Sequence, residues 1–308
     1  MMKLIRNLIP NLIRNLILKL NHNLFLKLNH NLFLIVTVTV ALSISMLSAC
    51  RRDTGSAVTV AGSTSVQPYA EVLAEAFAAG RPDAIINVQG GGSSAGISAA
   101  LSGAADIGMS SRELTDEESA LWYVEIAKDG LVIVVHPDNP LANLTPGQAC
   151  GIYSGEITRW SEIDDGVRSD AKIHVITREE GSGTRSAFES MVMGSVPITP
   201  KALVQDSNGA VRQLVSSDIN AIGFISLGLA DPSVKALWLD GVMPTEENVM
   251  NGSYTLHRPF IFVSLTEPTG LTRAFIDFTI SPEGRRILEA EGLVVDADGP
   301  AVDTEGNP

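Results

Sequence analysis

Cysteine is scarce in this chain, which has only Cys50 and Cys150 among its 308 residues. Small exported domains often depend on several cross-links, and two cysteines cannot supply them. Cys50 is moreover predicted below to carry lipid, which leaves Cys150 as the single thiol. No spacing of cysteine, histidine and acidic residues matches a metal site. We therefore expect no disulfide framework, no metal and no cofactor, and a fold stabilised by its apolar core.

Basic residues are also few, with 22 lysines and arginines against 35 aspartates and glutamates, for a net charge of −13. Five of the basic residues and none of the acids fall within residues 1–49, so the chain after them has 17 basic and 35 acidic side chains, or −18. Such a chain does not neutralise nucleic-acid phosphates or adhere to anionic lipid through a basic surface. We exclude nucleic acid as a partner.

Long apolar runs are absent, and the longest, residues 32–47, falls short of the ~18 to 20 residues that a spanning helix needs. It follows a basic segment and ends in Leu47-Ser48-Ala49-Cys50, a lipobox-like sequence. We predict that residues 1–49 are an export signal, that cleavage precedes Cys50 and that lipid is attached to its thiol. The protein would then be extracytoplasmic and anchored to the cell membrane. A plain membrane anchor is the alternative.

Three turns rich in glycine, serine and threonine each lie between a predicted strand and a predicted helix. They are Gly62-Ser63-Thr64-Ser65, Gly92-Ser93-Ser94 and Gly181-Ser182-Gly183-Thr184. The first N–H groups of a helix have no intrahelical partner and carry the positive end of its dipole. Hydroxyl groups add donors, and glycine lets the backbone approach a ligand closely. Each turn alone is explained by an ordinary helix cap, but three together indicate a site for an anion.

Two arginines flank the third turn and strengthen this interpretation. Arg178 precedes the turn and Arg185 follows it. A guanidinium group forms charge-assisted, forked hydrogen bonds with oxyanions. We therefore take residues 178–186 as the segment around which the site is organised.

The order of elements predicts an α/β fold with two lobes, each a mainly parallel sheet flanked by helices. The apolar run 131–135 is a central strand, and the prolines in 136–140 mark the first hinge crossing. The chain returns through a second crossing at 254–259. We assign residues 50–57 as a linker, 58–136 and 257–297 as lobe 1, 137–256 as lobe 2, and 298–308 as a tail. We also predict a helix that is capped at 115–118 and includes Leu121 and Trp122.

Four motifs give the chain a family resemblance. In order they are 61–65 (AGSTS), 89–96 (QGGGSSAG), 105–112 (ADIGMSSR) and 178–185 (REEGSGTR). Residues 58–292 resemble the phosphate-binding proteins of high-affinity phosphate ABC transporters, within the type II periplasmic-binding-protein superfamily. The resemblance implies a monomeric binding protein, not an enzyme, that holds inorganic phosphate between its lobes and delivers it to a membrane permease.

The resemblance also implies a set of ligand-binding residues. Thr64 and Ser65 match the first contact turn and Ser93 the second, while Arg178, Ser182, Gly183 and Thr184 match the last. With their neighbours, the candidate phosphate ligands are Ser63, Thr64, Ser65, Ser93, Ser94, Ser111, Arg112, Arg178, Ser182, Gly183, Thr184 and Arg185.

One position departs from the best-known members of the family, which have an aspartate where this chain has Ser111. That aspartate accepts the proton of hydrogen phosphate, and a serine does not repel a fully deprotonated oxyanion as a carboxylate does. Glu180, beside the anion turn, is our candidate for a replacement acceptor. Binding of another oxyanion, such as sulfate or molybdate, therefore stays open.

An enzyme is the second alternative. Residues 92–96 fit the G-x-S-x-G nucleophile elbow of serine hydrolases, and Asp218 or Asp240 followed by His257 would complete the order of a triad. However, the elbow follows only the second predicted strand, and no His-Gly-Gly sequence precedes it. A kinase or NTPase is disfavoured because the sequence G-x-x-x-x-G-K-[ST] does not occur, and Gly181-Ser182-Gly183-Thr184 has Arg185 rather than the P-loop lysine-hydroxyl pair.

Overall fold

The computed structural model describes residues 57–163 and 170–295, and these form part of one compact unit. The predicted signal, Cys50 and the tail lie outside the described residues. Among the helices that are described, none combines the length and apolar character needed to cross a bilayer.

A curled nine-stranded sheet organises the fold, in the order β2-β1-β3-β11-β4-β8-β6-β7, with β9 also paired to β4. Strands β10 and β5 form a separate pair. The strands are β1 (Ala57–Gly62), β2 (Ile85–Gly90), β3 (Ile107–Ser110), β4 (Trp122–Val135), β5 (Asn143–Leu144), β6 (His174–Arg178), β7 (Leu203–Gln205), β8 (Ala221–Ser226), β9 (Lys235–Ala236), β10 (Trp238–Leu239) and β11 (His257–Ser264). Pairing is parallel among β1, β2 and β3 and among β6, β7 and β8, and antiparallel where β4 and β11 join them.

Strand β4 is shared by both halves of the sheet. Its first part, residues 122–130, pairs with β11, and its second part, 131–135, pairs with β8. The chain therefore passes between the halves of the sheet inside a continuous strand, near Gly130. The loop 136–140, where the sequence suggested a hinge, follows the end of this strand, and that hinge stays a prediction. The extended run also replaces the helix predicted over Leu121 and Trp122. The predicted cap does form, since Thr115 and Glu118 make a capping box, but it closes only a single 3-10 turn.

Helices cover the sheet, and several of them begin at a capping serine or threonine. They are α1 (Gln67–Gly80), α2 (Ser93–Leu101), α3 (Pro146–Ser154), α4 (Gly183–Phe188), α5 (Asn208–Ser217), α6 (Glu246–Met250), α7 (Gly270–Thr279) and α8 (Pro282–Ala290). Ser182, Ser207 and Ser281 each accept a backbone N–H from the first turn of the helix that follows. Such caps satisfy donors that the helix itself leaves unpaired.

Each half of the sheet has its own core. The first half packs the apolar face of α1 against β1, β3, β11 and α7, with Leu73, Phe77 and Phe275 at its centre. The second half packs α3 and α4 against β4 and β8, where Tyr153, Phe188 and Phe224 are in mutual contact. The glycine- and serine-rich turns lie at the ends of strands between these two cores, which is where ligands bind in α/β sheets.

Candidate functional site

Five buried hydroxyl groups from both halves meet between the cores. We call Ser63, Ser65, Ser93, Ser111 and Thr184 the hydroxyl cluster. Ser63 Oγ donates to Ser111 Oγ at 2.8 Å, and Ser93 Oγ lies 3.3 Å from Ser111 Oγ. Ser65 Oγ and Thr184 Oγ1 are 2.8 Å apart and join the first half to the second. The hydroxyls predicted from three separate turns are thus brought together.

The turns themselves are in close backbone contact. Ser94 N donates to the carbonyl oxygen of Gly181 at 3.1 Å, which ties the start of α2 to the turn before α4. A Cβ atom on Gly183 would lie 2.2 Å from Ser93 Oγ and 2.6 Å from Ser111 Oγ. Glycine is therefore required at position 183 for this arrangement of the two halves.

Arg178 supplies positive charge beside the cluster although its side chain is only 1% exposed. Its Nη2 atom donates to Thr64 Oγ1 at 3.1 Å, and Nη1 lies 3.5 Å from Thr184 Oγ1. Glu179 accepts from both Nε and Nη2 at 2.9 Å. A buried charge is tolerated when it is paired and fully hydrogen-bonded, and this guanidinium is oriented toward hydroxyls of both halves.

The other predicted ligands are held by different partners. Arg112 forms a forked ion pair with Glu118, with both N–O distances 2.8 Å. This interaction lowers the pKa of Glu118 to about 2. Arg185 donates to Glu189 and to the carbonyl oxygen of Arg178. Ser182 accepts the N–H of Arg185 as a helix cap. These three side chains therefore make structural contacts rather than hydrogen bonds to the hydroxyl cluster.

Glu180 is exposed to solvent, whereas the hydroxyl cluster is buried. An acid that accepts a proton from a buried ligand must lie within hydrogen-bond distance of it. The hypothesis that Glu180 replaces the missing aspartate is therefore not supported by its position. The acid of this turn that is connected to the site is Glu179, which forms an ion pair with Arg178.

Four buried polar residues of the site were missed from the sequence. Arg258 on β11 donates to Asp129 Oδ2 through Nε at 3.1 Å and Nη2 at 2.9 Å, and Nη2 also lies 3.2 Å from Ser65 Oγ. Asp129 accepts a further bond from Ser226 Oγ at 2.6 Å. Asn208 Nδ2 donates to Ser65 Oγ at 2.8 Å. The sequence did offer one signal for this pair: Asp129 and Arg258 are charged residues within strongly apolar strands, where a charge needs a partner.

The hydrolase alternative lacks its triad. Ser93 Oγ interacts with Ser111, accepting its backbone N–H at 3.0 Å. Asp218 lies 2.6 Å from His174 Nδ1, so its carboxylate is engaged by that histidine and not by His257. A nucleophile, its base and an orienting acid must form one hydrogen-bonded chain. The residues proposed for that chain do not do so.

A cleft of about 520 Å³ lies next to the cluster, between the two halves. Ser94, Arg112 and Leu114 lie on one wall, Ser186 and Met191 on the other, and Arg258 contributes to the lining. This opening leads from the surface toward the buried polar groups. Within the described residues, no cluster of histidine, cysteine and acidic side chains could hold a metal ion.

Comparison with known proteins gives consistent matches. A family model described as a PBP superfamily domain matches residues 48–283. The phosphate-binding protein PstS of Bacillus subtilis is 32% identical over 244 residues, covering 77% of this chain and 80% of that protein. A structure described as a phosphate ABC transporter substrate-binding protein with bound phosphate, from Clostridium perfringens, is 44% identical, with a TM-score of 0.75 and coverage of 78% and 99%. An ABC-type phosphate transport receptor from Vibrio cholerae is 41% identical, with a TM-score of 0.66 and coverage of 78% and 100%.

Proposed function

We propose, from the premise that this chain belongs to the PBP superfamily and within it to the PstS phosphate-binding proteins, that it captures inorganic phosphate between its two lobes for an ABC transporter. Membership confirms the predicted α/β, two-lobe type II periplasmic-binding-protein fold. The observation that carries the proposal is the hydroxyl cluster with Arg178, which is buried between the two halves of the sheet. The lobe boundaries given above stay predictions.

The chemistry of the site suits a tetrahedral oxyanion. Hydroxyl groups, a guanidinium and backbone amide groups at the starts of α2 and α4 are all donors, and together they suit an anion without placing a full carboxylate against it. The cluster's hydroxyls presently satisfy one another, as at Ser65 and Thr184. We infer that phosphate takes the place of these mutual bonds and accepts from several hydroxyls at once.

Binding and lobe closure are coupled in this proposal. Thr64 and Ser65 belong to the first lobe, whereas Arg178 and Thr184 belong to the second, and the contacts between them cross the cleft. An anion that accepts from both sides is fully coordinated only when the lobes are closed. Phosphate would therefore shift the population from open to closed states, and the closed form is the one presented to a membrane permease.

Selectivity is proposed to rest on Ser111. Ser63 Oγ is engaged by the N–H groups of Ser65 and Val66, so it donates its proton to Ser111. Ser111 Oγ has a second lone pair, which is available to a ligand when Ser111 rather than Ser93 donates in the 3.3 Å contact between their hydroxyls. That lone pair can accept the proton of hydrogen phosphate, but it rejects sulfate less strongly than a buried carboxylate would.

Attachment to the membrane is the remaining part of the proposal. The lipobox-like sequence before Cys50 supports lipidation, export and a membrane-bound, extracytoplasmic protein. The monomeric state is carried over from the family resemblance alone. Acyl chains would keep the binding protein close to its permease, which raises the local concentration of loaded protein.

Calorimetric titration with phosphate, sulfate, arsenate and molybdate tests the function. We expect phosphate and its near-isostere arsenate to bind tightly, sulfate to bind more weakly and molybdate least well. Absence of phosphate binding would refute the proposal, and preferential binding of sulfate or molybdate would reassign the protein to another oxyanion.

A further inference from the structure

Arg258 has one donor for which the described residues provide no partner. Its side chain is 2% exposed, and its Nη1 atom is buried without a hydrogen bond. Leaving a buried guanidinium donor unpaired is costly. A buried donor without a partner, next to a candidate anion site, therefore indicates a hydrogen bond to a ligand atom.

The geometry of the guanidinium indicates where Nη1 points. Its hydrogens form two forks, one from Nε and Nη2 and the other from Nη2 and Nη1. Asp129 Oδ2 occupies the first fork. Nη2 uses its second hydrogen toward Ser65 Oγ. The second fork therefore faces Ser65, and a hydrogen of Nη1 is directed to the same side, toward the hydroxyl cluster.

Ser65 is held as a donor by its surroundings. Its oxygen receives N–H groups from Asn208 Nδ2 at 2.8 Å and Arg258 Nη2 at 3.2 Å, which use both of its lone pairs. The orientation of the Asn208 amide is set because its Oδ1 accepts the N–H of Ser226. The Ser65 proton is consequently available to Thr184 or to an anion, and Ser65 cannot accept a proton from a ligand.

The charges around Arg258 favour an anion between it and Arg178. Burial first, and also the positive charge of nearby Arg178, lower the pKa of Arg258, while Asp129 opposes that shift. Each of the two guanidinium groups has its own carboxylate, Glu179 for Arg178 and Asp129 for Arg258. An anion placed between the two cations would relieve their repulsion.

We propose that Arg258 is a direct ligand of the bound anion, its Nη1 donating to the oxygen that also accepts from Ser65. The inference rests on the proposed function and adds a residue that the sequence motifs do not contain. Asp129, Ser226 and Asn208 act as positioning residues, because they orient Arg258 and Ser65 without touching the anion.

The decisive experiment is a crystal structure of the wild-type protein with phosphate. We expect Arg258 Nη1 within hydrogen-bond distance, about 2.7–3.2 Å, of a phosphate oxygen. A water or a protein group on Nη1, with every phosphate oxygen beyond 3.5 Å, would overturn the proposal. This measurement does not depend on the folding of any variant.

Titration of variants gives the energetic test. Arg258→Lys keeps a charge for Asp129 but loses the second fork, and the double variant Asp129→Asn/Arg258→Gln removes the ion pair without leaving a lone buried charge. We expect phosphate affinity to fall by roughly ten- to a hundredfold in both. The control Arg273→Gln/Asp277→Asn removes an ion pair on the exposed face of α7 and should bind as wild type. Folded Arg258 variants with wild-type affinity would refute the inference.

Failure of the proposed function is distinguishable from failure of this inference. If wild type binds sulfate or molybdate instead of phosphate, the function is reassigned, and the same structure and variants are examined with that anion. If wild type binds phosphate but Nη1 does not contact it, only the role of Arg258 is lost. A protein that binds none of these anions would refute both.

Discussion

The substitution Gly183→Ala should hinder closure of the lobes without reducing the stability of the fold. Gly183 lies in the second lobe, and a Cβ there would meet Ser93 Oγ at 2.2 Å and Ser111 Oγ at 2.6 Å, both in the first lobe. Ordinary contacts begin near 3.4 Å, so the lobes must part by about 1 Å. A hydrogen bond of 2.8 Å stretched by that amount is no longer within bonding distance.

The expected loss of affinity follows from the bonds that would be weakened. If two hydrogen bonds between the first lobe and a charged ligand are lost, at about 1.5–3 kcal/mol each, phosphate affinity falls by roughly a hundred- to ten-thousandfold. Stability without ligand should not fall, because Ala is a better helix former than Gly and the open form accommodates its methyl group.

Calorimetry with phosphate and thermal unfolding without it measure the two effects. Gly209→Ala is the matched control, since Gly209 also lies in the first turn of a helix and a Cβ there meets nothing within 4 Å. It should leave phosphate affinity unchanged. If Gly183→Ala binds phosphate as tightly as wild type, the closed contact between Gly183 and Ser93 is not part of the bound state.

Four further predictions concern single side chains. Arg178→Ala should weaken phosphate binding by roughly ten- to a hundredfold in calorimetric titration. The control Arg212→Ala, at an exposed ion pair, should bind phosphate as wild type does. If Arg178→Ala also binds as wild type, Arg178 only stabilises the turn and does not contact the anion. In competition titrations with wild type, the affinity for sulfate should lie within about two orders of magnitude of the affinity for phosphate. Ser111→Asp should restore the rejection of sulfate. Complete rejection of sulfate by wild type would contradict this prediction. Cys50→Ser should leave the membrane fraction or accumulate unprocessed in detergent partitioning, and unchanged processing and partitioning would exclude lipidation. The pKa of Glu118 is lowered from 4.5 to about 2, so its ion pair stabilises the fold fully above pH 4.5 and loses that effect as the pH falls through 2. Denaturant unfolding should show Glu118→Gln less stable than wild type by about 0.2–1 kcal/mol at pH 7, with the difference shrinking below pH 4.5 and vanishing only below pH 2. A difference that does not change with pH would refute the assignment.

The sequence was informative where function depends on local turns. Ser65, Ser93 and Thr184 were each predicted from a strand, a turn rich in small residues and a following helix, and the structure brings them together. These features are local because a helix start and its capping residue lie within a few positions of each other.

The remaining features depend on contacts between distant residues. Arg258 and Asp129 are separated by 129 positions, and only the pairing of β11 with β4 places them side by side. A charged residue within an apolar strand signals locally that it needs a partner, but the local sequence does not say which residue that partner is. The passage between the two halves of the sheet also depends on distant pairing. Pro137 and Pro140 indicate an irregular loop, but the passage between lobes is set by which strands pair with each part of β4.

The position of β11 has a consequence for the order in which the exported chain folds. Residues 257–264 lie between β3 and β4 in the sheet, although they are made more than a hundred residues later. Until they arrive, one edge of β3 and the first part of β4 have no partner strand. Such long-range pairing slows folding and leaves edges open to wrong pairing. If the chain is exported as proposed, its first half would be completed only near the end of translocation, when residues 257–264 have emerged.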